Sequence, residues 1–380
     1  MALRVAVLGE YPLDPQRIAG GVEAAMVPLL SGLAACGDLE MHVVTCLPGV
    51  RDHLSMTTSG QALHVLQRHR GGRMTFHVRD AAGLRGALAR IVPDVVHAQG
   101  MGIYAHAAVG FGAPHVVTAH GIFSREARFA HGLAGALRGM IDSAYERYCV
   151  RRVRNLIAIS PYVEAELAPH GSFQRVYCIE NPVDDRYFAK ASAPQEPATL
   201  LYAGRVIARK GLMDLIAAMA KLRKRHPEVR LRIAGETESD AVYVIGCRSL
   251  ITAHGLEDVV EFLGALSIDE MIEEYSRCTV LVLPSYQETA PVVVAEAMAV
   301  GRAVVATRVC GLPYMIEDGV TGTLFEAGDV AELERVLAEL LANPTERQTM
   351  EGEARKRADR RYRAATVAEM TRRVYLELVS

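Results

Sequence analysis

Residues 279–307 read TVLVLPSYQETAPVVVAEAMAVGRAVVAT. A β-branched run ends at Pro284, a short polar loop follows, an apolar segment with helical composition runs to Gly301, and a second β-branched run closes at Thr307. Two strands joined through a helix must lie parallel, because neighbouring antiparallel strands need only a tight turn between them. Thr289 stands where it would cap the helix, and Pro291 falls in its first turn, where a missing N–H costs nothing. Glu288 sits in the loop and Glu296 inside the helix, eight positions apart, a separation that recurs at Glu228 and Glu236, Glu326 and Glu334, and Glu369 and Glu377. Spacing alone therefore selects nothing. The surroundings do: Val292, Val293, Val294, Ala295, Ala297 and Met298 imply burial on most sides of Glu296, and a buried carboxylate needs partners.

Outward from this stretch the same alternation fills the chain. RVAVL, MHVVTC, DVVHA, HVVTA, LIAIS and VYCIE read as strands in the first half, with helices from Val22 to about Cys36, around Arg85, and in a long segment ending near Arg154. The small, polar, proline-bearing AKASAPQEPA, residues 189–198, is the most linker-like segment. TLLYAG then restarts the pattern, followed by a helix from Leu212 to Arg225 and the strands VRLRIAG, VVEFLG, TVLVLP, AVVAT and GTLFE. The expected fold class is α/β, two doubly wound Rossmann-like parallel-sheet domains over 1–188 and 199–363, with ligands at the carboxyl ends of the strands and in a cleft between the domains. The helical pattern of TVAEMTRRVYLEL, 366–378, would cap one domain or cross back to the other.

Composition narrows the function classes. A chain of 380 residues exceeds one ordinary core, and 50% hydrophobic with 23% charged residues describes a globular protein. A formal net charge of -2 gives a nucleic-acid partner no support. The seven cysteines are scattered, odd in number and never in a CxxC pair, which argues against a disulfide framework and a zinc site. MALRVAVLGEYP has too short an apolar core for a signal peptide, and no later run reaches the length of a membrane span. A reducing cytoplasm is the expected compartment.

The common nucleotide motifs are missing. Gly9 follows the first strand without a GxGxxG, and GRVIARKG, 204–211, has Arg209 where a P-loop needs glycine and no Ser or Thr after Lys210. Gly20 and Gly21 stand at the start of a helix, where they would let a phosphate approach free amides or simply close a flexible loop. Arg205 and Lys210 follow the first strand of the second domain; a planar fork and a point charge suit the oxygens of a diphosphate, although basic surface residues are common. Glu288 and Glu296 would be separated by roughly 10 to 12 Å along the axis, about the span of a nucleoside diphosphate from sugar to ribose, with the helix amino terminus facing the phosphates. His120 follows HVVTA and is one of 11 histidines in the first 188 residues, so residue type alone does not single it out. His97, ending DVVHA, has the same kind of position. Arg138, Arg147, Arg151, Arg152 and Arg154, read as one helix within 137–155, fit peripheral attachment to anionic lipid at the inner membrane face, although such a stretch is more often a domain helix with a solvated face.

These residues carry a resemblance. With GGVE at 20–23, TAHG at 118–121, AIS at 158–160, ENPVD at 180–184, AGRVIARKG at 203–211 and DGVTGTLFEAGD at 318–329 in order, the chain resembles the retaining glycosyltransferases of family 4, which have the GT-B architecture. The resemblance covers nearly the whole chain, and 284–307 is its most specific part. It implies that Arg205 and Lys210 bind the donor diphosphate, that Glu296 holds the ribose hydroxyls and Glu288 contacts the transferred sugar, that Gly20 and Gly21 approach the donor phosphate, and that His120 lies beside the sugar. Ala290-Pro291 departs from the aromatic-glycine pair frequent in the family; since proline has no N–H, a backbone bond to the phosphates moves to Val292 or Val293. Pro182 likewise replaces a usual glycine, so Asn181 receives no role.

The implied reaction moves a sugar from a nucleotide diphosphate donor to a hydroxyl acceptor, a class that extends to lipid-linked acceptors, with retention at the anomeric carbon. No Asp-X-Asp occurs, so neither a metal nor another cofactor is expected, and the cationic side chains and helix amides would carry the leaving-group charge. A nucleotide-sugar epimerase on the same scaffold and a non-catalytic nucleotide-sugar-binding protein are the alternatives from other classes.

Overall fold

The computed structural model of the chain describes residues 2–18, 20–130, 132–189 and 195–380. Its contacts divide into two compact units, the first made of Met1–Pro15, Gly20–Pro182 and Ala364–Ser380, the second of Gln16–Ala19 and Val183–Arg363. Of the linker expected at 189–198, residues 190–194 lie outside the described residues. Residues 183–188, read with the first domain, group with the second unit: the Val183 N–H donates to the Tyr362 carbonyl at 2.8 Å, and the Tyr187 ring meets Tyr275 edge-on at 5.8 Å.

The first unit is built on strands β1 (Leu3–Leu8), β2 (Leu39–Pro48), β3 (His53–Met56), β4 (Ala62–Arg68), β5 (Val95–Gln99), β6 (His115–Ala119), β7 (Asn155–Ala158) and β8 (Arg175–Cys178). They form one sheet in the order β3-β4-β2-β1-β5-β6-β7-β8. All neighbours are parallel except β3 and β4, which pair antiparallel, so the expectation of a wholly parallel sheet fails at this edge. The reason is local: Ser59 and Gly60 sit in the short turn between β3 and β4, and the Thr57 N–H donates to the Gln61 carbonyl at 2.9 Å across it. An edge strand exposed along its whole length lacks the alternation that would have announced it.

The chain's last helix, Ala364–Val379, belongs to this first unit and packs on the helix Gly21–Ala35. Their approach is set by Gly32, where a Cβ would come within 2.6 Å of the Ala364 carbonyl oxygen and 2.8 Å of the Ala368 methyl. Gly32→Ala is expected to cost about 1–3 kcal/mol through overpacking, read as a lower denaturant midpoint; an unchanged midpoint would deny this helix contact.

The long arginine-bearing helix spans Gly132–Val150 rather than 137–155. The Cys149 carbonyl accepts from the amides of Arg152 at 2.9 Å and Val153 at 3.1 Å, which closes the helix end. Arg151, Arg152 and Arg154 therefore lie beyond it, and only Arg138 and Arg147 of the expected set are helical. Among the described residues no helix is long and apolar enough to cross a membrane.

The second unit carries β9 (Thr199–Ala203), β10 (Arg230–Ala234), β11 (Val260–Gly264), β12 (Val280–Leu283), β13 (Ala303–Thr307) and β14 (Thr323–Phe325), all parallel, in the order β11-β10-β9-β12-β13-β14. β9 and β12 are buried along their whole length, as strands covered on both faces must be. From β9 the chain winds outward through β10 and β11, then returns to β12 and winds the other way. The order reverses between β9 and β12, and at such a switch the connections after the two strands part and leave a crevice at their carboxyl ends. In the first unit the switch lies between β1 and β5.

Candidate active site

Both loops at the β9/β12 switch carry residues singled out in the sequence. After β9 the chain passes Gly204 and Arg205 and makes a short 3-10 turn, Ala208–Lys210, before the helix Leu212–Leu222. After β12 it runs through Pro284–Glu288 to the helix Val292–Val300. The loops touch closely. Gly211 has φ +69, and a Cβ there would lie 2.0 Å from the Pro284 carbonyl oxygen, so only glycine lets the turn pass. The Tyr286 N–H donates to the Arg209 carbonyl at 2.8 Å, and Arg209 Nη1 donates to the Gln287 carbonyl at 3.1 Å.

Lys210 and Glu288, 78 residues apart, are joined: Lys210 Nζ donates to Glu288 Oε1, with the lysine side chain 12% and the carboxylate 6% exposed. Ser285 Oγ donates to the same carboxylate oxygen at 2.9 Å. Burial pushes the Lys210 ammonium below its usual range, the Glu288 charge pulls it back, and Arg209 and Arg205 press it down again. Arg205 is exposed at the same loop. The structure thus brings Arg205, Arg209 and Lys210 together with the Glu288 carboxylate at the switch point.

The following helix starts two residues later than expected. Pro291 occupies the cap position and no side chain caps the helix, so Thr289 does not have the capping role read from the sequence. The Val294 N–H donates to the Pro291 carbonyl at 3.1 Å. Val292 and Val293 are then the first helical residues, whose amides have no acceptor within the helix and point out of its positive end.

Glu296 lies one turn further on and is buried, as the apolar neighbours implied. Tyr275 Oη, from the helix Ile268–Arg277, donates to Glu296 Oε2 at 2.9 Å, and Tyr187 is a second hydroxyl partner. Burial raises the Glu296 carboxyl to about 7, the two tyrosines oppose that rise, and the negative charge of Asp184 adds to it. Neither tyrosine was foreseen. Both come from segments with no motif, and only the general rule that a buried carboxylate must have donors pointed to partners at all.

The remaining predicted residues lie in the first unit. Gly20 is the cap and Gly21 the first residue of the helix Gly21–Ala35, and a Cβ on either would meet nothing within 4 Å, so no packing demand keeps these positions small. His120 follows β6 and bonds Gln99 at 2.6 Å. Among the described residues no group of three or more His, Cys, Asp or Glu side chains could hold a metal ion.

Comparison with known proteins agrees along the chain. Residues 19–187 match the model of Glycosyltransferase Family 4, and residues 183–357 that of the Glycosyl transferases group 1. Glycogen synthase of Mycobacterium tuberculosis is 32% identical over 312 residues, 79% of this chain and 73% of that protein. Two solved structures share the fold at lower identity: sucrose-phosphate synthase from Thermosynechococcus elongatus, with a TM-score of 0.82, 22% identity and 99% of each chain covered, and Anabaena HepE in complex with UDP-glucose, with a TM-score of 0.77, 19% identity, 99% of this chain and 100% of that one. Two doubly wound units and two family matches in chain order converge with a relative above 30% identity, and the chain belongs to the group 1 glycosyltransferases of the GT-B fold.

Proposed function

We propose that this glycosyltransferase moves a sugar from a nucleoside diphosphate sugar to a hydroxyl acceptor with retention at the anomeric carbon and without a bound metal. The observation that carries the reading is the pairing of Lys210 with Glu288 at the β9/β12 switch, beside Arg205 and the amides of Val292 and Val293. Departure of the donor develops negative charge on a diphosphate, and fixed cations with helix-end donors in a partly dry site stabilise such charge without reorganising. That chemistry suits Lys210 and Arg205 on the diphosphate and the two valine amides on its oxygens, and the family resemblance implies Glu296 on the ribose hydroxyls. The solved HepE complex with UDP-glucose shows that this fold accommodates such a donor in another protein. Gly20 and Gly21 would approach the phosphates and His120 the sugar.

In the step itself the bond from the anomeric carbon to the phosphate oxygen breaks, the acceptor oxygen bonds to the same carbon on the same face, and the acceptor proton passes to the departing phosphate. Glu288 is held by both Lys210 and Ser285. A carboxylate so engaged is better suited to orienting the sugar and steadying positive charge on it than to attacking its carbon.

A thermal-shift panel of nucleoside diphosphates and their sugars, with and without EDTA, tests the donor and metal parts together. A ligand at 100 times its dissociation constant stabilises the native state by about 2.7 kcal/mol, so one base series should raise the melting temperature by several degrees irrespective of chelator. No shift with any nucleoside diphosphate would sink the donor assignment, and turnover abolished by EDTA would sink the metal-free one. Anomeric coupling constants of the product report retention or inversion. Attachment to an anionic bilayer belongs to the same reading: Leu133, Leu137 and Met140 project from the helix Gly132–Val150 as an exposed ridge, with Arg128 and Arg138 nearby in the chain and no acid in 127–141. Vesicles containing phosphatidylserine should sediment the protein at low salt and release it at high salt; absence of pelleting at both would end it.

A further inference from the structure

β5 and β6 pair with His97 opposite Val116 and Gln99 opposite Thr118. Side chains two apart on a strand share a face, so His97 and Gln99 of one strand and Thr118 of its neighbour lie together, with His120 two positions further on. The bonds run in series. Tyr375, from the helix Ala364–Val379, has its Oη 2.7 Å from His97 Nδ1; the His97 Nε2 faces Thr118 Oγ1 at 2.7 Å and Gln99 Nε2 at 3.1 Å; the other end of the Gln99 amide, Oε1, lies 2.6 Å from His120 Nε2. Tyr375, His97, Gln99 and Thr118 are all buried, and every member belongs to the first unit. Burial holds the rings neutral, lowering His97 to about 3 and His120 to about 4, and Asn181 is a further side-chain partner of His120.

A neutral imidazole has one N–H and one acceptor nitrogen, and an amide has a donor end and an acceptor end. The amide nitrogen of Gln99 can only donate, so His97 Nε2 accepts and His97 carries its proton on Nδ1, donating to the Tyr375 oxygen. The amide oxygen can only accept, so His120 carries its proton on Nε2. Turning the Gln99 amide over would invert both rings at once. We infer that Gln99 is a positioning residue that couples the two histidines and fixes His120 as the Nε2–H tautomer, which makes Nδ1, a buried atom, the acceptor nitrogen of that ring. This deepens the proposed reaction and rests on the reading that His120 faces the transferred sugar. It gives His97, in the middle of β5, a task that its place in the strand alone did not explain, and ties the proton pattern of a first-unit loop to a hydroxyl from the last helix of the chain.

The full-length protein labelled with 15N-histidine reports each tautomer through long-range 1H–15N correlations near pH 7. The wild type should show His120 protonated on Nε2 and His97 on Nδ1. Gln99→Met, which removes both amide ends at similar volume, should leave His120 averaging between tautomers and lower turnover on the order of tenfold, the low end of what outer partners of functional imidazoles contribute, with the nucleotide KM unchanged. Gln99→Glu retains the acceptor toward His120 and should keep its Nε2–H pattern while His97 changes. Should Gln99→Met unfold, Tyr375→Phe supplies the second test, since losing the oxygen at His97 Nδ1 should relax the His97 tautomer. His120 protonated on Nδ1 in the wild type, or a His120 pattern indifferent to Gln99→Met, overturns the inference. A tautomer change with unaltered turnover upholds the coupling and overturns the sugar-side reading of His120 instead.

Discussion

Lys210→Ala should lower turnover by about 10²- to 10³-fold, the loss that accompanies removal of one fixed donor to developing negative charge. The same change should also destabilise the fold by about 3–5 kcal/mol, because it strands the buried Glu288 carboxylate without its cation. The two effects separate in the double variant Lys210→Met/Glu288→Gln. Burial together with the neighbouring Arg209 and Arg205 already disfavours the ammonium more than Glu288 restores it, so a neutral pair of similar volume should fold at least as well as the wild type while remaining inactive. Circular dichroism melts set beside donor turnover make the comparison. A double variant with near-normal turnover would remove Lys210 from the leaving-group site, and a single variant as stable as the wild type would mean that water already reaches Glu288. Arg205→Ala, at an exposed position, should lose turnover without the stability cost.

Glu296 gives the second large effect, and its sign can be worked out. With its carboxyl raised to about 7, the residue is ionised above neutrality and protonated below it. Only the carboxylate offers full acceptor strength to ribose hydroxyls, so nucleoside diphosphate affinity should fall as pH drops from 8 to 6. Glu296→Gln should weaken binding by about 1.5–3 kcal/mol, tenfold or more, and flatten that pH dependence. Calorimetry on both proteins across this range makes the measurement, and the difference between them cancels the titration of the nucleotide itself. The linkage to stability runs the opposite way. The native state binds the proton more tightly than the unfolded chain, whose value is near 4.5, so stability falls as pH rises from there through about 7 and no further loss follows above it. Glu296→Gln should lack this slope. Equal slopes in both proteins would show that burial does not hold the carboxyl as described.

Much of this was legible in the residues because parallel strands buried on both faces leave uninterrupted β-branched runs, such as TVLVLP and AVVAT, that few other structures explain. The edge hairpin of β3 and β4 was not, since HLSM is exposed at every position and carries no periodic signal. Arg205 and Lys210 could be singled out because they follow the first strand of the second domain, at the end where such folds place ligands, whereas the role of Glu288 came from the family resemblance. The pairing of Lys210 with Glu288 could not be read, because 78 residues of chain separate the lysine from its glutamate. The same limit hid Tyr275 beside Glu296 and, at a separation of 278 residues, Tyr375 beside His97. Thr289 was misread for a different reason: a proline two residues later took the cap position itself, in an extended conformation. Local propensity finds helix starts to within a residue or two, and here that margin decides which amides face a phosphate.

The return of Ala364–Val379 to the first unit bears on how the protein is made. The amino-terminal sheet emerges from the ribosome lacking the helix that covers the groove beside Gly32 and supplies Tyr375. Between Pro182 and Ala364 lie 181 residues, which at about 5–20 residues per second take on the order of 10 to 40 s to synthesise. Throughout that interval the nascent half presents an apolar furrow to solvent, and the younger half can finish folding before the older one does.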